Sequence, residues 1–456
     1  MSLGKIRMSK VCFILIIVAF FAISAVIFNQ IYLTSTMVVD EEFHLPLGIS
    51  YCKFNFFVWD PKVTTLPGLY LVSALFMGPL KLCTIYWMRF VSLVCSIFNI
   101  ILFYKLFRKY EKNEWGNILS SITLALLPPL YFFSNFYYTD VVSMTMILSM
   151  IVANEKKHHY LAAIFGLFSV ICRQTNVVWV GLIAARYILT ELYSFTKLRQ
   201  QEKGVPAKDL FTFFRRVIKR PLKVLENSNI QFWLDTLSYL ATLGTFVLFI
   251  KINGSIVVGD KSAHEATIHI PQLFYFSIFC LVFAWPHFVG EVLNFITFTK
   301  RNKLLIFILI IICFLIVYAN TLVHPYMLAD NRHYIFYIWN RFYGKYALFK
   351  YTIIPVYIFA WYVIIKSLYS KHDISFLALY LLCTTAVLIT QKLIEVRYFF
   401  IPYILFRLRI KTNTNSVFNI VLEFVTYLVV NSITLNLFFT KTIIWPEYED
   451  PQRLIW

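Results

Sequence analysis

Long runs of apolar residues, separated by short polar breaks, make up most of the 456-residue chain. Runs such as 11–31, 88–106, 304–322 and 417–439 are long enough, as helices, to cross about 30 Å of hydrocarbon. Apolar and polar residues do not alternate within these runs, as they would in the strands of a membrane barrel. The pattern therefore predicts an all-α polytopic membrane protein.

The composition supports this class. Charged residues make up 14% of the chain, whereas a soluble domain carries about 25%. The net charge of +19 lies mostly in the short breaks between apolar runs, which is typical of cytosolic loops and not of a nucleic-acid-binding surface. The cysteines and histidines lack metal-site spacing, so no metal is expected. Cys52 and Cys83 can form a disulfide if both are lumenal, which their spacing alone does not show.

The distribution of basic residues predicts the topology. Basic residues ahead of the first run place the N-terminus in the cytosol and the loop 32–86 in the lumen. The apolar stretch 66–80 lies within that loop, but a span there would move the basic block 105–112 to the lumenal side. We therefore expect 66–80 to form an interfacial helix. The same rule predicts about 13 spans (12–14) in one transmembrane domain, 1–456. It places the basic loop 191–229 in the cytosol and three further loops in the lumen: 251–272, 323–345 and 391–397.

The predicted lumenal loops are rich in histidine, carboxylates and arginine, beside tryptophan and tyrosine. Such a mixture suits a sugar site, because aromatic faces stack on sugars, carboxylates accept hydroxyl hydrogen bonds and arginine pairs with phosphate. The acidic cluster 40–42 follows the first span directly, at the depth of a lipid headgroup. Transfer of a sugar from a lipid phosphate needs a base on the acceptor hydroxyl and cations on the phosphate. A solvated acidic patch at the end of a helix is the alternative interpretation of this cluster.

Several unusual segments occur in consistent order between residues 40 and 456: VDEEFHLP, WDPKVTTLPGLYLVS, FYYTD, CRQTN, VVGDKSAHEATIHIPQ, HPYMLADNRHYIFYIWNR, EVRYFFIPY and QRLIW. Together they resemble the GT-C class of glycosyltransferases. More specifically, they resemble the endoplasmic-reticulum dolichyl-phosphate-glucose-dependent α-1,2-glucosyltransferase family. That family adds the terminal glucose to the lipid-linked oligosaccharide of N-glycosylation.

The resemblance implies dolichyl-phosphate-β-glucose as donor and a diglucosylated, high-mannose dolichyl-diphosphate oligosaccharide as acceptor. It implies an inverting reaction with one base, no cofactor beyond the co-substrate, and a lumenal active site in a multi-pass protein of the endoplasmic reticulum membrane. A dolichyl-phosphate-mannose-dependent mannosyltransferase of the same class is one alternative. A polytopic transporter is the other, although nearly all ionisable residues fall at span ends instead of at mid-bilayer depth.

On this resemblance we expect Asp40 to be the catalytic base, with Glu41 as the second candidate. A third acid, Glu42, stands where the family has an apolar residue, so the choice among the acids stays open. The candidates for the donor phosphate are Arg332 and Arg397, assisted by His333 or Lys261. The candidates for sugar binding are Trp59, Asp140, His264, Glu265, Tyr334 and Trp339. Each of these residues has a structural interpretation as well, as an ion-pair partner, a loop brace or an interfacial aromatic. Asn253, in the only Asn-x-Ser/Thr sequon, is predicted to carry a glycan.

Overall fold

The fold is that of a computed structural model, which describes residues 3–110, 113–196, 204–219, 221–261, 267–370, 373–410 and 416–456. In chain order the helices are α1 Leu3–Thr34, α2 Glu41–Cys52, α3 Gly68–Met77, α4 Ile85–Tyr110, α5 Glu114–Ala125, α6 Pro128–Phe133, α7 Thr139–Glu155, α8 His159–Cys172, α9 Val177–Phe195, α10 Leu210–Lys219, α11 Pro221–Leu225, α12 Ile230–Asn253, α13 Gln272–Phe283, α14 Val292–Arg301, α15 Lys303–Asn320, α16 Pro325–Ala329, α17 Tyr334–Ile338, α18 Phe349–Thr352, α19 Ile354–Leu368, α20 Ile374–Leu388, α21 Phe400–Arg407 and α22 Ser416–Thr440. Two short strands, β1 Thr442–Ile443 and β2 Gln452–Arg453, pair antiparallel after α22.

The prediction of an all-α polytopic membrane protein is confirmed. Among the described residues, seven helices are long and apolar enough to cross a membrane, and α13 with the helical segment after it, bent by 82°, can supply an eighth. The predicted count of about 13 spans stays a prediction, because several predicted runs fold as shorter helices. The run 117–133, for example, is divided between α5 and α6, which begins at Pro128. Proline lacks the backbone N–H that would continue the preceding helix.

The stretch predicted as an interfacial helix contains α3, whose ten residues extend for only about 15 Å. Pro67 precedes α3 and Gly78 follows it. Its first residue, Gly68, lies against the end of α8, and a Cβ there would meet the backbone nitrogen of Cys172 at 2.5 Å. The length of α3 agrees with the expectation that this stretch does not cross the bilayer.

Cys52 and Cys83 form a disulfide. It joins the end of α2 to the chain just ahead of α4, so that α3 lies within a covalently closed loop. The pairing that spacing left open is therefore present.

The core is built around α7, which packs between α4 and α8. Some polar side chains inside this core hydrogen-bond to one another: Thr145 donates to Asn99 at 2.9 Å, and Asn176 donates to Ser143 at 2.7 Å. Because α7 begins at Thr139 with Asp140 in its first turn, this buried helix presents a carboxylate at one end. The predicted lumenal loops gather at that end.

Candidate active site

A cavity of about 670 Å³ lies among the loops predicted to be lumenal. Most of its wall comes from five parts of the chain, 39–44, 62–65, 326–336, 393–398 and 445–456, and Thr139, Arg173 and Asp260 complete it. Cavities of this size hold small organic ligands and cofactors. Segments that are more than 400 residues apart in sequence therefore form one site.

The backbone before α2 positions Asp40 in the cavity wall. Val39 has a φ of 48°, a left-handed conformation that a β-branched residue rarely adopts. The hydroxyl of Tyr138 accepts a hydrogen bond from the Asp40 amide at 3.1 Å and donates one to the carbonyl oxygen of Val38 at 2.9 Å. The strained backbone is thus fixed by a buried tyrosine at the start of α7.

The carboxylate of Asp40 faces the cavity, with 37% of its side chain exposed. Its Oδ2 lies 3.0 Å from Nη2 of Arg397. Burial by itself raises the pKa of Asp40. The nearby Arg397, His44 and His333 together lower the pKa by more than burial raises it, so the net pKa is below its ordinary value. Asp40 is therefore ionised at neutral pH and can accept a proton.

Arg397 is held by carboxylates on several sides. Glu395 accepts from its Nη2 at 2.8 Å and from its Nε at 3.0 Å, and Asp140 lies 3.9 Å from its Nη1. Burial lowers the pKa of Arg397, but these carboxylates together with Asp40 raise it well above its ordinary value. Asp140 also pairs with Arg173. Two permanent positive charges, Arg397 and Arg173, thus line the cavity that Asp40 faces, in a place suited to an anionic leaving group.

Glu41 points away from the cavity. It has no exposed surface, and it forms an ion pair with Arg89 of α4 through hydrogen bonds of 2.9 Å and 2.6 Å. Its oxygens also accept from the backbone amides of Tyr137 at 2.7 Å and Val38 at 3.1 Å. The carboxylate has no position left for a substrate, so its geometry is that of a structural ion pair.

Arg332 and His333 line the opposite wall. Arg332 is 7% exposed and makes two hydrogen bonds to Asp330, at 2.9 Å and 2.8 Å, and one to Gln452 at 3.1 Å. Its guanidinium also covers the ring of Trp445 at 4.1 Å. Nδ1 of His333 lies 3.1 Å from the carbonyl oxygen of Trp456. Arg332 is largely engaged by protein groups, whereas His333 borders the open space.

The other predicted phosphate and sugar residues fall into different surroundings. Lys261 donates from Nζ to the carbonyl oxygen of Asn253 at 2.6 Å and does not line the cavity. Trp339 is buried in a small apolar cluster and stacks on Tyr343 at 4.8 Å. Trp59 packs edge-on against Tyr70. These residues brace loops next to the site.

Two of the predicted sugar residues, His264 and Glu265, lie outside the described residues. Asp140 lies in the buried charge cluster behind Asp40, and Tyr334 packs against Trp456 at 5.2 Å. The side-chain amide of Asn253 donates to the carbonyl oxygens of Ser255 and Val257 within its own loop.

Two further residues that line the cavity, Lys62 and His44, are not among the site residues predicted from the sequence. Lys62 has its ammonium 4.7 Å from the ring of Phe43, and no carboxylate among the described residues lies within ion-pair distance. Burial lowers the pKa of His44 to about 4, and the same imidazole lies 2.6 Å from the hydroxyl of Tyr70, so His44 is neutral at pH 7. Both residues lie in sequence segments that carry the family resemblance, and this was the signal that could have identified them as site residues.

The DIE2/ALG10 family profile matches residues 34–408, a range that includes Asp40, Arg332 and Arg397. The chain belongs to the DIE2/ALG10 family. A relative from Drosophila melanogaster is 40% identical over 446 residues, covering 96% of this chain and 98% of the relative. A relative from Homo sapiens is 37% identical over 442 residues, covering 92% and 93%, and one from Arabidopsis thaliana is 30% identical over 480 residues, covering 92% and 94%. Each relative is named Dol-P-Glc:Glc(2)Man(9)GlcNAc(2)-PP-Dol alpha-1,2-glucosyltransferase.

No solved structure matches this member of the DIE2/ALG10 family. The family resemblance stated from the sequence motifs is confirmed. The family match ends at residue 408, so one wall of the cavity, 445–456, lies beyond it.

Proposed function

We propose that this protein transfers glucose, with inversion, from dolichyl-phosphate-β-glucose to the diglucosylated high-mannose oligosaccharide on dolichyl diphosphate, forming the terminal α-1,2-linkage. The observation that carries the proposal is the near-full-length similarity to enzymes named for this reaction. The cavity supports it, because an ionised carboxylate and permanent cations face the same space.

Asp40 is the base in this proposal. It takes the proton of the acceptor 2-hydroxyl as the hydroxyl oxygen forms a bond to C1 of the donor glucose. The bond between C1 and the phosphate oxygen breaks, and dolichyl phosphate leaves with the electron pair. Because the attack comes from the face opposite the phosphate, the β-linked donor gives an α-linked product without a covalent enzyme intermediate.

Arg397 and Lys62 are the cations that stabilise the leaving phosphate in this proposal. Arg397 already lies beside Asp40, and Lys62 has its charge uncompensated by carboxylates in the described part of the chain. When phosphate oxygens take hydrogen bonds from Arg397, its attraction for Asp40 weakens. The basicity of Asp40 then rises at the stage when the proton must be taken.

The compartment in this proposal is the lumen of the endoplasmic reticulum. Disulfides persist in oxidising compartments, so the Cys52–Cys83 pair supports a lumenal position for the loop 32–86. The sequon at Asn253 follows the apolar helix α12, and the adjoining backbone pairs with that loop, since the Val258 amide donates to the carbonyl oxygen of Thr64. Both features belong to the same face of the protein.

The test is an in vitro transfer assay with purified full-length protein, a diglucosylated lipid-linked acceptor and either labelled dolichyl-phosphate glucose or labelled dolichyl-phosphate mannose. We expect glucose transfer only, and a loss of about 10²–10⁴-fold in rate for Asp40→Asn. Glu447→Gln, at an exposed acid, is the matched control and should keep wild-type activity. Mannose transfer would identify the alternative enzyme, transfer of neither sugar would contradict the proposed activity, and full activity of Asp40→Asn would exclude Asp40 as the base.

A further inference from the structure

The segment 445–456 is fastened to both walls of the cavity. On one side, the hydroxyl of Tyr448 donates to Glu42 at 2.9 Å. On the other side, the amide of Ile455 donates to the carbonyl oxygen of Arg332 at 2.8 Å, and the amide of Tyr334 donates to the carbonyl oxygen of Ile455 at 3.1 Å. The segment thus connects the loop that carries Asp40 to the loop that carries Arg332 and His333.

This segment brings Trp456 below the end of α22. The guanidinium of Arg453 donates to the carbonyl oxygen of Phe439, near the last turn of that helix. Three residues later, the ring of Trp456 lies 6.2 Å from Phe283, which itself lies 5.8 Å from Tyr427 in the middle of α22. The end of α22 is about 20 Å from Tyr427 along the helix axis. Trp456 therefore lies at a level that α22 crosses as a membrane span, and the cavity extends into that layer.

Two buried hydrogen-bonding groups lie in Trp456, which lines the cavity, and in Tyr334, which packs against it. Nε1 of Trp456 and the hydroxyl of Tyr334 are buried, and neither has a hydrogen-bond partner among the described residues. Their rings pack edge-to-face, with centroids 5.2 Å apart. Buried polar groups are nearly always paired in native proteins, so two unpaired ones beside a cavity indicate a ligand that brings oxygen atoms.

The indole of Trp456 also borders the cavity itself. An aromatic face beside an unpaired N–H donor matches a pyranose, which has an apolar C–H face and hydroxyl groups around its rim. A free N–H also suits a phosphate oxygen, but the guanidinium of Arg332, the cation next to this segment, is already bonded to Asp330 and Gln452. Lys62 and Arg397 belong to other segments of the cavity wall. The surroundings of Trp456 are therefore those of a sugar subsite.

We infer that Trp456 binds the glucosyl ring of the lipid-borne donor, with its Nε1–H donating to a glucose hydroxyl and Tyr334 packed against its indole. This inference rests on the proposed function. The donor glucose is linked directly to its lipid phosphate, so it reaches the cavity from the membrane layer in which Trp456 lies. The reacting glucose of the acceptor is at the far end of a long oligosaccharide and approaches from the lumen.

The test uses purified full-length protein and separate saturation curves for dolichyl-phosphate glucose and for the lipid-linked acceptor. Trp456→Phe keeps an aromatic ring but removes the N–H donor, and Trp456→Ala removes both. We expect the donor KM to rise about tenfold for Trp456→Phe and about 50-fold for Trp456→Ala, with the acceptor KM within about twofold of wild type. Ile444→Ala is the matched control, since Ile444 lies just ahead of the segment, is 86% exposed and does not line the cavity.

Thermal unfolding of each variant separates binding from folding. Trp456→Phe retains the packing against Phe283 and should unfold close to the wild-type temperature, so it decides the question even where Trp456→Ala does not fold. An unchanged donor KM in Trp456→Phe would overturn the inference, and a rise in the acceptor KM instead would assign the subsite to the other substrate. Failure of the wild-type protein to transfer glucose would contradict the proposed function and is visible before any variant is made.

Discussion

Replacing Glu41 by glutamine removes one charge from a fully buried ion pair. Glu41 and Arg89 are both without exposed surface, and the Arg89 guanidinium also donates to the carbonyl oxygens of Ser35 and Thr36. Those carbonyl oxygens belong to the loop that leads to Asp40. The ion pair therefore fixes the path of the chain from the first span to Asp40, the proposed base.

The size of the effect follows from the burial and the four hydrogen bonds of Glu41. Removing one partner of a buried ion pair costs about 3–5 kcal/mol, because the remaining charge is left uncompensated. Glutamine also places an N–H group where the carboxylate accepts from donors, including the Tyr137 amide at 2.7 Å. We expect Glu41→Gln to lose about 3–5 kcal/mol of folding free energy.

Thermal and denaturant unfolding of the detergent-purified protein measure this loss, and glucose transfer per folded molecule measures the effect on the site. Asp40→Asn is the neighbouring comparison. It should lose activity with a smaller loss of stability, because Asp40 is partly exposed and Arg397 keeps Glu395 as a partner. The double variant Glu41→Gln, Arg89→Gln should lose less than the sum of the single variants, since no lone charge remains buried. A wild-type unfolding midpoint for Glu41→Gln would refute the structural role assigned to this acid.

Three further perturbations test other parts of the structure. Because Arg397 lowers the pKa of Asp40 while burial raises it, wild-type activity should show no loss from protonation of Asp40 down to about pH 5. In Arg397→Gln the pKa of Asp40 should rise, so the residual activity should fall as the pH is lowered through a range where the wild-type rate is constant. Identical pH profiles for the two proteins would contradict the assignment of Asp40 as the base. Replacing Cys52 and Cys83 by serine opens a loop with a sequence separation of 31 and should lower the free energy of unfolding by about 3–4 kcal/mol. A reductant should lower the unfolding temperature of the wild-type protein and leave that of the double variant unchanged. Asn253 should carry a glycan that an endoglycosidase removes and Asn253→Gln lacks; an unglycosylated Asn253 in a loop cleaved by cytosolic protease would reverse the topology.

Much of the candidate site could be predicted from sequence because its residues lie in polar loops between apolar runs. Asp40 follows the first span directly, and Arg397 lies with Glu395 and Lys392 in a short polar loop between two apolar segments. The predicted base, Asp40, and the predicted phosphate ligand, Arg397, are 3.0 Å apart in the structure. Their roles stay predictions until the transfer assays are made.

The sequence by itself determined the protein class and the set of loops that face one side, because span length and charge distribution are properties of consecutive residues. It did not determine which acid of the cluster 40–42 faces the cavity. Successive residues of a helix turn by about 100°, so Asp40 reaches Arg397 while Glu41 turns into the core. That outcome depends on Arg89, which is 48 residues further along.

Only the tertiary structure decided the role of the segment 445–456. In sequence it is a short polar stretch after the last apolar run, with no local pattern that relates it to Asp40. In the fold it closes the cavity through contacts with Glu42 and Arg332, which are 406 and 120 residues away along the chain. Contacts over such separations are set by how the helices pack around the buried α7, and no local periodicity encodes them.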